Sequence, residues 1–386
     1  MTILDTIRRR ATEHPQKPAI ITLGEEGWRI TYAWLIECME SCKPLPIPLL
    51  GETWNGSFHL TTTGTTGQEK TVIISQKAVI ANSENLIEAQ GYNEDTVFVI
   101  AGAITHLGSW SKIFPTLMMG GTIIVLPDIK DMNLFFKALD YPSQHLATFL
   151  VPAAIRMLLQ FSRDRLAEYA DKIEFLETGA APISSADMQS LCKTLPKTRL
   201  YNTYASTETG IVATYNYNDG QTRECCVGKP LRRSGVKLDT DGRIICTGDT
   251  LMDGYLDNQQ LTETVLHDGE LYTADYGHFD TEGRLYIDGR IDDVLNIGGY
   301  KINPVEVENA AMGHPDITDC MCISTEHKVF GPMLKLLVKM EDGKTLDRHS
   351  LARHILSKLE RYKVPQLYEE VTHIQRTFNG KLKRTK

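Results

Sequence analysis

The sequence lacks long hydrophobic runs and clusters of basic residues. No apolar stretch approaches the roughly 18 residues of a membrane helix, and the N-terminus becomes charged after four residues, so we expect neither a membrane span nor a signal peptide. The formal net charge is -8, and no run of Lys and Arg alternates with aromatic residues, which disfavours nucleic acid as a partner. A small-molecule substrate and a cytoplasmic location are therefore predicted.

The sequence also lacks paired cysteine motifs. Its eight cysteines form no CxxC pair and no His/Cys spacing typical of zinc sites. This pattern favours reduced cysteines in the core over a disulfide framework. With 386 residues, of which 42% are hydrophobic and 23% charged, the chain is long enough for two or three packed units.

The arrangement of apolar segments predicts the fold class. Between Asp95 and Tyr204, short β-rich runs such as TVFVIAGAI, TIIVLP and IEFLETG alternate with helix-length segments. This alternation predicts an α/β fold, with a mostly parallel sheet covered by helices and ligands bound beyond the carboxyl ends of its strands. After Gly210, Asp-Gly and Glu-Gly turns predict a small antiparallel β unit. We expect a large domain over residues 1–291 and a small α+β domain over residues 292–386.

A loop rich in glycine and threonine, TTTGTTGQEK over residues 61–70, predicts a polyphosphate site. Its glycines allow tight turns that expose backbone N–H groups, its hydroxyls can donate to phosphate oxygens, and its lysine adds positive charge. The spacing is not that of a Walker A loop, and the following TVIIS predicts a strand rather than a helix. The alternative is a threonine-rich surface turn. The predicted phosphate-binding residues are Thr62, Thr63, Gly64, Thr65, Thr66, Gly67 and Lys70.

This loop resembles the phosphate loop of the adenylate-forming superfamily, which includes acyl-CoA synthetases. Thr63 stands where that family has Ser, Glu69 replaces its Pro and Thr71 its last Gly. Other motifs of the family follow in order up to Lys381. The resemblance implies an adenine-contacting turn at Gly179, Ala180 and Ala181, and nucleotide contacts from Asn202, Thr203 and Tyr204. It further implies that Thr207 contacts the α-phosphate or the substrate carboxylate, that Glu208 binds Mg2+, and that Asp275 and Arg290 hold the ribose.

The resemblance also assigns the acyl pocket and the small domain. His106 matches the family's residue beside the acyl pocket, with Trp110 and Ile104 as further candidates. No Asp stands in this region to hold an ammonium group, so the resemblance implies an acid other than an α-amino acid. In the small domain, the implied roles are a hinge at Asp292, a thiol channel at Gly298 and Gly299, and a catalytic lysine at Lys381. Because five residues follow Lys381, we expect ligand rather than further chain to order this tail.

The implied activity is an AMP-forming acid–thiol ligase. It would use ATP and Mg2+ to convert a carboxylic acid to an acyl-adenylate and pass the acyl group to CoA, or to the phosphopantetheine of an acyl carrier protein. The region before the phosphate loop is shorter than in the family, which suggests a surface covered by a carrier protein or by a second copy in a homodimer. Glu69 and the short N-terminal region leave open a different class of function, an impaired homologue that acts as a binding or scaffold subunit.

Overall fold

The structure is a computed structural model that describes residues 2–24, 27–41, 56–63, 69–221, 223–329, 331–376, 382 and 384. In this part of the chain, no helix is long and apolar enough to cross a membrane. The seven cysteines that lie in it are all free thiols, as predicted, and five of them are buried.

The N-terminal half forms an eight-stranded sheet with helices packed on it. The strand order is β10-β9-β8-β7-β5-β6-β1-β2. All neighbours from β9 to β1 are parallel, and β10 and β2 run antiparallel at the edges. The elements in chain order are α1 (Ile3–Glu13), β1 (Pro18–Thr22), β2 (Arg29–Thr31), α2 (Tyr32–Ser41), β3 (Phe58–Thr63), β4 (Glu69–Ile74), α3 (Gln76–Gln90), β5 (Val97–Ile100), α4 (Leu107–Trp110), α5 (Ile113–Met119), β6 (Thr122–Val125), α6 (Met132–Leu139), β7 (Leu146–Phe149), α7 (Pro152–Phe161), α8 (Arg163–Ala167), β8 (Ile173–Thr178), α9 (Ser185–Thr194), β9 (Arg199–Ser206) and β10 (Gly210–Asn216).

Local sequence explains how this sheet forms. The central strand β5 is apolar and buried along its whole length, as expected of a strand covered on both faces. Helix α3 begins where the Ser75 hydroxyl accepts the Ala78 N–H, and it ends at Gly91, whose left-handed backbone suits glycine. The predicted α/β class is confirmed. Because β8 and β9 are parallel, the residues that follow them share one edge of the sheet.

The second unit is the predicted antiparallel β sheet, with the order β11-β17-β16-β13-β12 and β15 beside β16. One strand, β14, lies outside it and pairs with β4, which in turn pairs with β3. The elements are β11 (Cys226–Gly228), β12 (Ser234–Leu238), β13 (Arg243–Gly248), β14 (Gly254–Tyr255), α10 (Gln259–Val265), β15 (Leu266–His267), β16 (Glu270–Phe279) and β17 (Leu285–Arg290).

The C-terminal unit is α+β, as predicted. A three-stranded sheet of β20, β21 and β22 packs on α11 and α12, and a short hairpin of β18 and β19 precedes it. The hairpin was not predicted. The elements are a 3-10 helix (Ile291–Asp293), β18 (Leu295–Ile297), β19 (Tyr300–Ile302), α11 (Pro304–Met312), β20 (Ile317–His327), β21 (Gly331–Met340), α12 (Arg348–Leu356), a second 3-10 helix (Arg361–Lys363) and β22 (Leu367–Glu370). The domain boundary after residue 291 stays a prediction.

Ion pairs join the C-terminal unit to the helices of the large sheet. Arg156 of α7 bonds Asp187 of α9 at 2.9 Å and Asp319 of β20 at 3.0 Å. Asp319 also accepts Arg376 at 2.6 Å. A shared carboxylate therefore connects the large sheet to the chain segment that leads toward Lys381.

Candidate active site

A tight hairpin between β9 and β10 presents two of the predicted site residues. Ser206 and Thr209 bond each other's backbone N–H through their hydroxyls, both at 3.0 Å, and close a short turn with Thr207 and Glu208 between them. At Gly210, φ is +66° and a Cβ atom would lie 2.5 Å from the Asn82 side chain, so glycine is required. The turn thus holds a hydroxyl and a carboxylate at the edge of the sheet where the parallel strands end.

The predicted ribose residues come together beside this hairpin. The Tyr204 hydroxyl donates to Asp275 Oδ2 at 2.7 Å. Asp275 of β16 lies directly opposite Arg290 of β17, and Arg290 Nε is 3.8 Å from Asp275 Oδ1. That Nε atom is buried and has no hydrogen-bond partner among the described residues. The cluster therefore combines a partly exposed carboxylate with a guanidinium whose donor is free for a ligand, which suits a ribose diol and a phosphate.

Electrostatics keep Tyr204 in its protonated, donating form. Burial, together with the nearby Asp275 carboxylate, raises the pKa of the Tyr204 hydroxyl well above its usual range. The other predicted nucleotide residues of β9 bond to neighbouring strands, Asn202 to β11 of the second sheet and Thr203 to β10 of the large sheet. Asn202 donates to the Cys226 carbonyl at 2.9 Å, and the Thr203 hydroxyl bonds that of Thr214 at 2.7 Å.

Glu208 belongs to a second cluster. Its Oε1 accepts the Tyr255 hydroxyl at 3.0 Å. The Nζ of Lys70, in β4, lies 5.4 Å from the centre of the Tyr255 ring. Tyr255 was not predicted as a site residue because its strand, β14, has two residues and shows no alternating pattern. Its pairing with β4, the strand that follows the Gly/Thr loop, is visible only in the structure.

The predicted phosphate loop joins two paired strands. Thr62 lies opposite Lys70, and Thr63 opposite Glu69, in the antiparallel pair of β3 and β4. The strand predicted after the loop is confirmed. Gly64, Thr65, Thr66 and Gly67 lie outside the described residues.

The predicted adenine turn follows β8 directly. A Cβ atom on Gly179 would lie 2.8 Å from the carbonyl oxygen of Thr203, so the turn needs glycine to approach β9. Ala180 has φ of +67°, a left-handed conformation that is uncommon for a residue with a side chain. The exposed Ala180 and the partly exposed Ala181 continue from this turn at the edge where Thr207 also lies. The strained small-residue turn is consistent with a surface for a planar base.

The acyl side is built around α4. His106 is the residue before this helix and is partly buried. Trp110 packs edge-on against Phe114 and Phe58, with ring centres 4.8 and 5.4 Å apart, so it belongs to the core. Ile104 also packs against this core.

A buried ion pair that the motifs did not reveal lies behind α4. Lys112 Nζ bonds Glu177 Oε1 at 2.7 Å, and Gln90 donates to Glu177 Oε2 at 2.8 Å. Burial lowers the pKa of Lys112, and the Glu177 carboxylate opposes that shift. The Lys112 ammonium also lies 5.5 Å from the centre of the Phe149 ring. A cation in an otherwise uncharged segment, SWSKIF, was the one available signal.

The small unit contains the remaining predicted residues. Asp292 lies in the 3-10 helix that follows β17, with its Oδ2 3.9 Å from Arg290 Nη2. Gly298 and Gly299 form the turn between β18 and β19, with φ of +56° and +86°, and a Cβ atom on either would meet open space. Lys381 lies outside the described residues.

The expectation that ligand orders the C-terminal tail is wrong for the residues beside Lys381. Arg384 bonds both carboxylate oxygens of Glu308, at 2.5 and 2.9 Å, and the Cys322 carbonyl at 2.9 Å. Leu382 forms an antiparallel bridge with Arg376. The sequence did not reveal this anchor because the buried partner, Glu308, is 76 positions away.

The donor set fits a magnesium ion that is bound mainly by substrate. Within the described residues, no group of three or more His, Cys, Asp or Glu side chains that could hold a metal occurs. Glu208 offers a carboxylate whose Oε2 has no hydrogen-bond partner in that same set, and Mg2+ is commonly held by one or two carboxylates together with substrate phosphates.

Two family models match this chain. The model described as "AMP-binding enzyme" matches residues 54–256, and the model described as "AMP-binding enzyme C-terminal domain" matches residues 306–381. The chain belongs to the AMP-binding enzyme family. The first match includes strands β4, β9 and β14, which carry residues of both clusters. The second match ends at Lys381.

Most of the chain is similar in sequence to CoA ligases. It is 28% identical to an indoleacetate–CoA ligase of Aromatoleum aromaticum over 93% of this chain and 71% of that protein. It is also 28% identical to a 2-succinylbenzoate–CoA ligase of Staphylococcus epidermidis over 84% of this chain and 68% of that protein. The chain thus spans about two thirds of the length of such relatives.

A solved structure shares the fold of this family member. O-succinylbenzoate coenzyme A synthetase from Bacillus subtilis, in complex with ATP and magnesium ion, matches with a TM-score of 0.80, 18% identity, and coverage of 98% of each chain. The predicted superfamily and fold class are confirmed. The family match and the two ligases also agree with the predicted AMP-forming acid–thiol ligase.

Proposed function

We propose that this member of the AMP-binding enzyme family activates a carboxylic acid with ATP and transfers the acyl group to the thiol of CoA. In the first step, a carboxylate oxygen forms a bond to the α-phosphorus of ATP and pyrophosphate leaves. In the second, the thiol sulfur attacks the acyl carbon, AMP leaves and the thiol proton is released. The family match and the CoA ligases among the relatives support ATP and CoA as substrates, and the similar solved structure is a complex with ATP and magnesium ion.

The observation that carries this proposal is the pairing of Tyr204, Asp275 and Arg290 next to the Glu208 turn. Tyr204 and Glu208 are four positions apart on one hairpin, so the ribose cluster and the carboxylate are held in a fixed relation. In the proposed complex, Asp275 and Arg290 hold the ribose, and Thr207 contacts the α-phosphate or the substrate carboxylate. Positioning of this kind supplies most of the catalysis in phosphoryl and nucleotidyl transfer.

The remaining roles follow from the charges of the other predicted residues. Lys70 and the loop from Thr62 to Gly67 neutralise the β- and γ-phosphates, and Lys381 neutralises charge at the reacting carboxylate and α-phosphate. Glu208 would hold Mg2+ through Oε2, the carboxylate oxygen that has no hydrogen-bond partner among the described residues, and the bound ion would supply positive charge to the phosphates. His106 borders the acid, and Gly179, Ala180 and Ala181 pack on adenine beside Asn202 and Thr203.

The small unit serves the second step in this proposal. The unit pivots at Asp292, Lys381 withdraws, and Gly298 and Gly299 line the path of the thiol. We predict that Lys381→Ala lowers acid-dependent ATP–pyrophosphate exchange by at least about 100-fold, because one charge-stabilising group is lost. The same variant should still form thioester from supplied acyl-adenylate.

Lys383→Ala is the matched control for this experiment, since it removes a lysine from the same tail. It should exchange pyrophosphate as the unaltered protein does. Exchange at the unaltered rate in Lys381→Ala would show that Lys381 is not the catalytic lysine.

The acid and the acceptor are decided by one assay. Pyrophosphate release is measured over a panel of carboxylic acids and α-amino acids, with CoA or with a holo acyl carrier protein as acceptor. We expect release with an acid that lacks an α-amine, and thioester formation with CoA. Productive transfer only to the carrier protein would support the alternative acceptor, and no release with any acid would support the binding or scaffold subunit. The proposed homodimer is checked by sedimentation, and the proposed cytoplasmic location by fractionation of the native host.

A further inference from the structure

Tyr255 lies between two oppositely charged residues of the candidate site. Its hydroxyl donates to Glu208 Oε1 at 3.0 Å, and the face of its ring lies 5.4 Å from Lys70 Nζ. Glu208 comes from the turn after β9, whereas Lys70 comes from the strand after the Gly/Thr loop. Tyr255 is therefore the side chain through which the carboxylate and the loop lysine are connected.

The position of Tyr255 is fixed by its surroundings. The residue is 8% exposed, and its backbone N–H donates to the Thr262 hydroxyl at 2.9 Å. The residues on either side of Gly254–Tyr255 extend the pairing with β4, since Asp253 N–H donates to the Ile73 carbonyl at 2.9 Å and Leu256 N–H to the Thr71 carbonyl at 2.8 Å. Because these hydrogen bonds hold the backbone at Tyr255, the ring stays in place and fixes the positions of the two side chains that contact it.

The two oxygens of the Glu208 carboxylate differ in their hydrogen bonds. Oε1 is occupied by Tyr255, and Oε2 has no hydrogen-bond partner among the described residues. A hydroxyl bond on one oxygen orients the other, as the outer partners of metal-binding carboxylates generally do. The free oxygen is the one available to a divalent cation on the triphosphate.

The ring has a second effect on the lysine. Lys70 makes no ion pair with a carboxylate in the described part of the chain, and its ammonium instead faces the aromatic ring. The Tyr255 side chain thus contacts the cation through its ring face and the anion through its hydroxyl.

We propose that Tyr255 is a positioning residue that keeps Glu208 oriented toward Mg2+ and keeps Lys70 available to the terminal phosphates of ATP. This inference rests on the proposed function, because it assigns Tyr255 a role in that same nucleotide site.

The test compares ATP binding with and without Mg2+, measured by calorimetry, and the binding of Mn2+ in the presence of ATP, measured by electron paramagnetic resonance. Tyr255→Phe keeps the ring and removes the hydroxyl. It should raise the Mg2+ concentration needed for half-maximal tightening of ATP binding about tenfold, with a similar loss in Mn2+ affinity, since a hydrogen bond to a charged group is lost. ATP binding without metal should stay unchanged. Tyr255→Leu removes the ring as well and should weaken ATP binding without metal in addition.

Tyr272→Phe is the matched control, because the Tyr272 hydroxyl donates to Glu270 at 3.2 Å in the second sheet. It should change none of these values. In a Glu208→Gln background, Tyr255→Phe should have no further effect on metal dependence. Equal losses with and without Mg2+, or an unchanged Mg2+ requirement in Tyr255→Phe, would overturn the role of Tyr255. If the unaltered protein binds no ATP, the proposed function itself fails, and the two failures are thereby distinguished.

Discussion

Two charged clusters, one on the antiparallel second sheet and one at the large sheet, are built in opposite ways. In the ribose cluster, Arg290 and Asp275 are 3.8 Å apart, and their side chains are 34% and 20% exposed. In the cluster behind α4, Lys112 and Glu177 are 2.7 Å apart, and their side chains are 0% and 1% exposed. The first pair is thus too far apart for a hydrogen bond and is partly exposed to solvent, whereas the second pair is hydrogen-bonded and buried.

From this difference we infer that Asp275 and Arg290 are available to bind a ligand, whereas Lys112 and Glu177 stabilise the fold. Arg290 keeps a buried donor that has no partner among the residues the structure describes, which is costly unless a ligand bonds it. Glu177 has both oxygens bonded by Lys112 and Gln90, so it has little left to offer a substrate. Removing a charge should therefore affect ATP binding in the first cluster and folding in the second.

The largest expected effect is on folding. Lys112→Met leaves the Glu177 carboxylate buried without its cation, so we expect the free energy of unfolding to fall by about 3–5 kcal/mol. The double variant Lys112→Met/Glu177→Met removes both charges and should recover most of that loss. Urea unfolding of the three proteins, followed by tryptophan fluorescence, measures both changes.

An exposed pair of similar length provides the control. Lys197 lies 2.8 Å from Asp171, and both side chains are largely exposed. Lys197→Met should leave the unfolding midpoint unchanged, because exposed ion pairs contribute little. If Lys112→Met were as stable as Lys197→Met, the buried pair would not support the fold in the way described.

Much of the fold followed from local patterns. The βα alternation between Asp95 and Tyr204 predicted the parallel strands, because strands buried on both faces are apolar along their whole length. The Asp-Gly and Glu-Gly turns likewise predicted the antiparallel unit. Strands β1 and β2 were not predicted, since each is short and acquires its burial by pairing at the far edge of the sheet. The pairing of β14 with β4 depends on residues about 180 positions apart, which no local pattern can reveal.

The candidate site divides in the same way. Motifs predicted Tyr204, Glu208, Asp275 and Arg290, because the proposed nucleotide ligand calls for side chains of these chemical types. The motifs did not predict Tyr255, Lys112 or Arg384, because each contacts another side chain that is distant in sequence. Contacts between protein groups leave no fixed spacing in the chain, so the structure was needed to find them.

A smaller effect is expected in the open cluster, and it concerns ligand binding. Asp275→Asn keeps an oxygen that can accept the Tyr204 hydroxyl but loses the charge that we propose bonds the ribose diol. We expect ATP binding to weaken by about 2 kcal/mol, or about 30-fold, with little change in stability. Calorimetric titration with ATP and urea unfolding check the two parts. Destabilisation as large as that of Lys112→Met would remove the distinction between the clusters.

The smallest expected effect comes from the tyrosine that orients Asp275. Tyr204→Phe removes one hydroxyl bond to a carboxylate that stays charged, so ATP binding should weaken about fivefold, or about 1 kcal/mol. The control is Tyr169→Phe, because the Tyr169 hydroxyl donates to Asp140 at the same 2.7 Å away from the ribose cluster. Only Tyr204→Phe should alter the ATP titration. Equal ATP affinities in the two variants would mean that Tyr204 supports the sheet and does not position the ribose carboxylate.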